Sequence, residues 1–487
     1  MQSGENTDPK NRDENSIKSE LKSLAEFFYI KDVPSYGNNF FFTIGIYLLE
    51  LFVVLAATGM IMLIFGPYWW DLTAAGTFIR SIHLWAAEAF VTLMLIHFLV
   101  QLFTSAYKQK RLVWMIGVAM LLIVFLEFAF GIGLRGDFVS QWNDKAGADL
   151  WNGLGLGYWI NPLNTGAVLG WHVAIVPLLL AALIFTHYML VKQKGLNKPY
   201  RSDIPYSMVQ ANHRQMYRRM VYIFIIVLLF AIFLRAPYIP PLTIQSIAQS
   251  NQSIMALTLL GELNQSSHTA TYLDTIDPYT FNTSVVYVNI PYMKYINSTF
   301  GAKNALAEYY AENATQRETS LNEAYAFFSG NWSESAALNS TNPLVNTIAT
   351  LVRLAKGGTY QTLLQGEVAS GLNYTYVIRF LSDSRVLQST ASEYGLRTHQ
   401  FGMIKAGGMW WQIGSYWTLP YNYLEIATSG IPWWGDLENG VIAVAVFVLL
   451  LFLPYIPGLR EVPDKLKLYK VFWNRFTVPE MKKKELK

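Results

Sequence analysis

Long apolar runs alternate with short polar connections through the first half of the chain, give way to a mixed central region, and return once near the end. A bilayer crossing takes about 20 apolar residues at about 1.5 Å each. Four stretches meet that requirement, 39–65, 78–106, 112–134 and 167–191, and two shorter ones, 220–234 and 440–455, meet it when extended at their ends. The pattern predicts an all-α membrane protein. A four-helix bundle is followed by two further transmembrane helices, with a large domain inserted between the fifth and the sixth. The divisions read from the pattern are a polar N-terminal segment (1–38), the bundle (39–200), a connection with the fifth helix (201–236), the inserted domain (237–437), the sixth helix (438–456) and a basic tail (457–487). Within the inserted domain, 302–311 and 320–328 read as helices and 285–290 and 374–380 as strands.

Composition supports this division. Of 487 residues, 52% are hydrophobic, and the mean hydropathy is +0.24. That is too apolar for an ordinary soluble chain and too polar for one held wholly in lipid. The polar first segment has no apolar core and does not read as a cleavable signal, so targeting falls to the first membrane helix. The chain has no cysteine, which excludes disulfides, thiolate-held clusters and thioether-attached haem.

Charge placement orients the helices. Lys108, Lys110 and Arg111 lie between the second and third spans. Lys192, Lys194, Lys198, Arg201, Arg214, Arg218 and Arg219 lie between the fourth and fifth, and the tail ends in lysines 482–484 and Lys487. All fall on one side if both termini are cytoplasmic. The expected location is the cell membrane, multi-pass, with the inserted domain outside. Asn-X-Ser/Thr acceptors begin at Asn251, Asn264, Asn282, Asn297, Asn313, Asn331, Asn339 and Asn373, all within that domain. Their restriction to one segment reads as glycosylation of an exterior surface. Chance clustering in a Ser/Thr/Asn-rich stretch is the plainer alternative. Sparse charge in the same region suits a sugar coat or an acidic medium.

Four of the seven histidines lie inside predicted membrane helices: His83 and His97 in the second, His172 and His187 in the fourth. Ionisable side chains at membrane depth are costly and mark function by default. Fourteen residues of helix separate the first pair, a rise of about 21 Å with a return to within roughly 40° of the same face. Fifteen separate the second, for about 22 Å and roughly 60°. The two helices run parallel, so His83 faces His172 near the outer surface and His97 faces His187 near the inner one. Two bis-histidine haems need that arrangement. Four separately hydrogen-bonded polar histidines are the alternative.

The first helix carries Gly45 and Gly59, and the third Gly117 and Gly131, again fourteen apart. A flat macrocycle approaches a helix backbone closely only where no Cβ intervenes. These helices run the opposite way, so Gly59 and Gly131 belong to the outer level and Gly45 and Gly117 to the inner. Arg80, one turn before His83, can pair with a haem propionate or extend to the headgroups.

These residues resemble the cytochrome b family of quinol-oxidising complexes, especially its shorter b6 form. The matching elements are the two glycine pairs, Arg80-Ser-Ile-His83, His97, Trp171-His172, and His187 followed by the run from Val191 to Pro199, over roughly residues 38–200. The resemblance implies axial ligation by the four histidines, haem packing on the glycines, and a propionate on Arg80. The chain also departs from that pattern. Leu134-Arg135-Gly136 replaces Leu-Pro-Trp, and the Pro-Glu-Trp-Tyr motif of the outer quinol site has no clear copy, Pro432-Trp433-Trp434-Gly435 being a faint echo. Thr43 stands where b6 proteins attach an extra haem, and Val100 replaces an arginine. A large glycosylated insertion resembles the cytochrome b-like subunits of archaeal quinol oxidases. The implied cofactors are two haems, of b or A type, with quinol as substrate. The implied partners are membrane lipid, a Rieske iron–sulfur protein and haem–copper oxidase subunits, with no nucleic acid.

Glu50, Glu88 and Glu127 also lie at membrane depth, either for proton transfer or paired with basic groups. Arg135 and Asp137 line a quinol pocket or pair with each other. His213, His268 and His399 show no metal-ligand spacing. Three functions follow: an electron-transfer subunit of a respiratory quinol-oxidising complex, a stand-alone transmembrane reductase, or a haem-bearing structural anchor of an oxidase supercomplex.

Overall fold

Six helices are long and apolar enough to cross a bilayer: Phe40–Leu72, Ala74–Phe103, Arg111–Gly133, Thr165–Lys194, His213–Phe233 and Leu437–Tyr455. They are called the first to sixth membrane helices below. The computed structural model describes residues 31–198, 206–273, 281–366, 371–405, 414–432 and 434–472. Most of the N-terminal polar segment, Pro199, Arg201, Trp433 and the terminal lysines lie outside them. The fifth helix starts earlier than the apolar run suggests, because its first turns are polar and Asn212 caps them, accepting from the Gln215 amide.

The first helix packs along the second and the third along the fourth, with the fifth against the second and the sixth against the third. Their shared core includes Leu51, Ala86, Val91, Leu121, Val124 and Val227. Near its end the first helix turns at Gly66, whose φ of +76° disfavours any side chain. Pro67 follows, with no amide to rejoin the ladder. The redirected last turn carries Asp71 to Arg80 on the next helix, at 2.6 Å.

At the end of the bundle where the basic connections lie, Asp32–Pro34 pairs antiparallel with Met208–Gln210, Val33 opposite Val209. These strands are too short for any periodicity to reveal. Lys108 pairs there with Glu461 and Asp464, tying the second connection to the chain beyond the sixth helix.

Between the fifth and sixth membrane helices lies a helical unit with its own core. At its centre is Pro343–Lys356, buried on nearly every side through Val345, Ile348, Leu351 and Val352. Asn342 caps it, accepting from the Leu344 and Val345 amides, with Pro343 where a free amide is not needed. Gln252–Leu263, Ala305–Ala311, Ala314–Ser329 and Glu334–Leu338 surround it. Residues 305–311 of the first run and all of 320–328 thus fall in helices, Asn304 capping the first. The two runs read as strands are helical instead: they form Val285–Asn289 continuing into Ile290–Ser298, and Thr375–Asp383. Over so few residues a two-residue alternation and a helical stripe coincide. Tertiary burial decides, since Val377, Phe380 and Leu381 enter the unit's core while Ile378 enters a second cluster with Phe138 and Leu163.

Seven of the acceptor asparagines (251, 264, 282, 297, 313, 331 and 339) are exposed, and Asn373 is half-buried. Asn251 and Asn313 cap helices through Oδ1, and Asn282 and Asn373 accept from amides two or three residues on. Capping is therefore a further reason for asparagine at these positions. It leaves Nδ2, the atom that N-glycosylation would modify, uninvolved.

Within the unit Glu262 is fully buried, one oxygen accepting from Ser267 Oγ at 2.7 Å. Burial, then the adjacent Asp383 carboxylate, pushes Glu262 well above the usual carboxylate range. The folded state therefore holds a proton that the unfolded chain releases earlier. Stability is full below the ordinary glutamate range and is lost as pH rises toward the raised folded value. Thermal melts of the intact protein at increasing pH should show falling midpoints, and Glu262→Gln should flatten the decline. Midpoints that ignore pH, or a decline unchanged in the variant, contradict this.

Candidate metal centre

The second and fourth helices place the four histidines. The structure brings His83 and His172 together, ring centroids 6.3 Å apart and planes 71° from parallel. Metal–imidazole bonds run about 2.0–2.1 Å, and a ring centre lies roughly 1.1 Å beyond its nitrogen, so two trans ligands on one ion stand roughly 6.3 Å apart. The ring centres of the outer pair stand at that spacing, so these two imidazoles could hold one metal ion between them.

Hydrogen bonds fix the tautomers of that pair. The Thr58 hydroxyl donates to the Val54 carbonyl at 2.7 Å, so its oxygen accepts from His83 Nδ1 at 2.9 Å. His172 Nδ1 lies 3.2 Å from the Glu127 carbonyl and 3.0 Å from its Oε1, so it too is the donor. Both rings keep the Nε2 lone pair for a metal. At the inner level, Nδ1 of both His97 and His187 is buried without a hydrogen-bond partner.

Each glycine faces one imidazole. A Cβ built on Gly59 would lie 3.3 Å from His83 Cε1, and on Gly131 3.1 Å from His172 Cε1. The corresponding approaches are 4.0 Å for Gly45 to His97 and 3.6 Å for Gly117 to His187. The grouping by depth is the one the sequence periods predict. The free Nε2 atoms of His83 and His172, with a glycine facing each of the four imidazoles, fit haem binding at two levels.

The fifteen-residue spacing has a local cause. Residues Trp171–Ile175 form a wide turn in which the Val176 amide reaches the Trp171 carbonyl five residues back. Pro177 follows and donates to no carbonyl. A π-type turn absorbs one residue, so fifteen positions here turn the chain about as fourteen do elsewhere, and His187 returns beneath His172.

Arg80 is buried rather than extended to headgroups. It pairs with Asp71, donates to the Pro237 carbonyl at 3.1 Å, and lies 5.7 Å from the Tyr238 ring. Arg135 reaches the same carbonyl at 3.1 Å and pairs with Asp137 at 2.6 Å. Asp71, Thr58 and Tyr416 were not singled out by sequence; each acts across helices, where no local spacing signals it. Among the acids, Glu127 has a partner in His172, whereas Glu88 has none for either oxygen.

Residues 88–246 match the family model described as cytochrome b (N-terminal)/b6/petB. A cytochrome b6 of Chlamydomonas reinhardtii is 28% identical over 203 residues, covering 37% of this chain and 94% of that protein. One from Euglena gracilis is 26% identical over the same length, with the same coverage. The matched part of the membrane half is thus similar to the cytochrome b/b6 family. A solved chain of a hyperthermophilic respiratory Complex III is 16% identical, with a TM-score of 0.35 over 69% of this chain and 92% of that one. The cytochrome b6 relatives pair with 37% of the chain, and the family model ends at residue 246, near the start of the helical unit.

Proposed function

We propose that this cytochrome b-type chain is the electron-transfer subunit of a respiratory quinol-oxidising membrane complex, carrying two bis-histidine haems at two depths. The 6.3 Å separation of His83 and His172, tautomers set for metal binding, is the observation that carries the reading. Bound there, haem supplies one-electron transfer and, with both axial positions filled, leaves none for oxygen. The protein's part is positional. Thr58 and Glu127 hold the outer ligands, glycines admit the macrocycles, and Arg80 is placed to share its charge between Asp71 and a propionate.

The helical unit, with its acceptor asparagines, lies outside, and both termini lie inside. Rieske and haem–copper oxidase subunits are the expected partners, and haem b and A-type macrocycles suit these ligands equally. Quinol added to the purified complex should reduce low-spin haems at two potentials. A high-spin, carbon monoxide-binding spectrum would sink the reading. Activity of the isolated chain toward ferric iron would favour a stand-alone reductase.

A further inference from the structure

Glu88 lies between the two histidine levels, five residues past His83 and nine before His97. It is 6% exposed, and both carboxyl oxygens are buried without a hydrogen-bond partner. An ionised carboxylate so placed is costly unless a nearby charge compensates it. No other acid or base among the described residues acts on it except Tyr416, which interacts with it electrostatically.

Tyr416 arrives from the segment preceding the sixth helix. Its neighbour Trp417 is half-buried against the bundle core, stacked on Phe125 at 6.1 Å and edge-on to Phe128 at 4.2 Å. The Thr92 hydroxyl donates its one proton to the Glu88 carbonyl at 2.7 Å. Tyr416 must therefore be the donor in its 2.6 Å bond to Thr92. The lone pairs of the tyrosine oxygen remain available on the face that Glu88 shares with Thr92, one turn apart.

Resting on the haem reading above, we propose that Glu88, with Tyr416 and Thr92 beside it, is a redox-linked proton site. With haem held by these histidines, uptake of one electron from a quinol would be balanced by one proton from water joining a Glu88 carboxylate oxygen. Passage of that electron to an oxidised haem or iron–sulfur acceptor would break that O–H bond and return the proton to water. In a medium of low dielectric the ferric charge favours ionised Glu88 across the width of a helix, and its loss on reduction favours the neutral acid. Charge is thus balanced at each step.

The test is a redox titration of the haem-loaded complex over a pH series, together with reduced-minus-oxidised infrared spectra. In the wild type, a haem midpoint should fall with rising pH, by up to about 59 mV per tenfold drop in proton activity. A carboxylic C=O band should grow on reduction. Glu88→Gln should abolish both while leaving haem content unchanged, and Tyr416→Phe should keep the band but shift its frequency. PH-invariant wild-type midpoints, or a band surviving in Glu88→Gln, overturn the proposal alone. A native chain without haem overturns the haem reading with it.

Discussion

Replacing His172 with alanine should lower the haem content from two per chain to one, with the surviving haem keeping its own potential. His187→Ala should do the same for the other level. The outer ligands are oriented separately, by Thr58 at 2.9 Å and by Glu127 at 3.0 Å, and the inner histidines are fourteen or fifteen residues away on each helix. One site can therefore empty without dismantling its neighbour. Removing an imidazole leaves a cavity costing on the order of 2–5 kcal/mol, so helix content by circular dichroism must accompany the pigment assay. A folded His172→Ala protein with full pigment would end the axial-ligand assignment. Loss of both haems in a folded variant would mean that the levels are interdependent.

The second large effect is expected where the helical unit meets the membrane half. Arg379 is 1% exposed and donates to Asp149 at 2.8 Å, and Asp149 also pairs with Lys145 at 2.7 Å. The Arg379 and Lys145 charges hold the Asp149 carboxyl below its ordinary range, against the opposing effect of burial. Asp149→Ala strips a buried guanidinium of this counter-charge, which typically costs about 3–5 kcal/mol. The Asp149→Ala, Arg379→Met double variant should recover much of that loss, because an apolar pair needs no compensation. Melting temperature and protease susceptibility report the effect. A single variant as stable as the parent would show that the junction is held by other contacts, such as the Tyr374 amide on the Leu163 carbonyl at 2.9 Å.

The spans were legible because length and apolarity alone specify a membrane helix, and each of the six runs lies largely within an observed helix. The grouping of histidines with glycines was legible because helical period converts spacing into face and depth. Partners that meet across helices were not. Asp71 reaches Arg80 only because the chain turns at Gly66. Tyr416 sits in a polar-looking stretch whose descent to bundle depth depends on Trp417 finding Phe125 and Phe128. Residues 374–380 misled because β-branched and aromatic side chains satisfy either period over seven positions, and burial from two sides chose the helix.

The wide turn at Trp171–Ile175 shows how a ligand helix can tolerate a change in length. An extra residue in a regular helix would swing everything downstream by roughly 100° and carry the lower imidazole away from its partner. Here the surplus is taken up within one loop of backbone, beside a proline that already interrupts the ladder. A change of one residue at that point can accordingly be absorbed while both imidazoles of the helix keep their places opposite their partners.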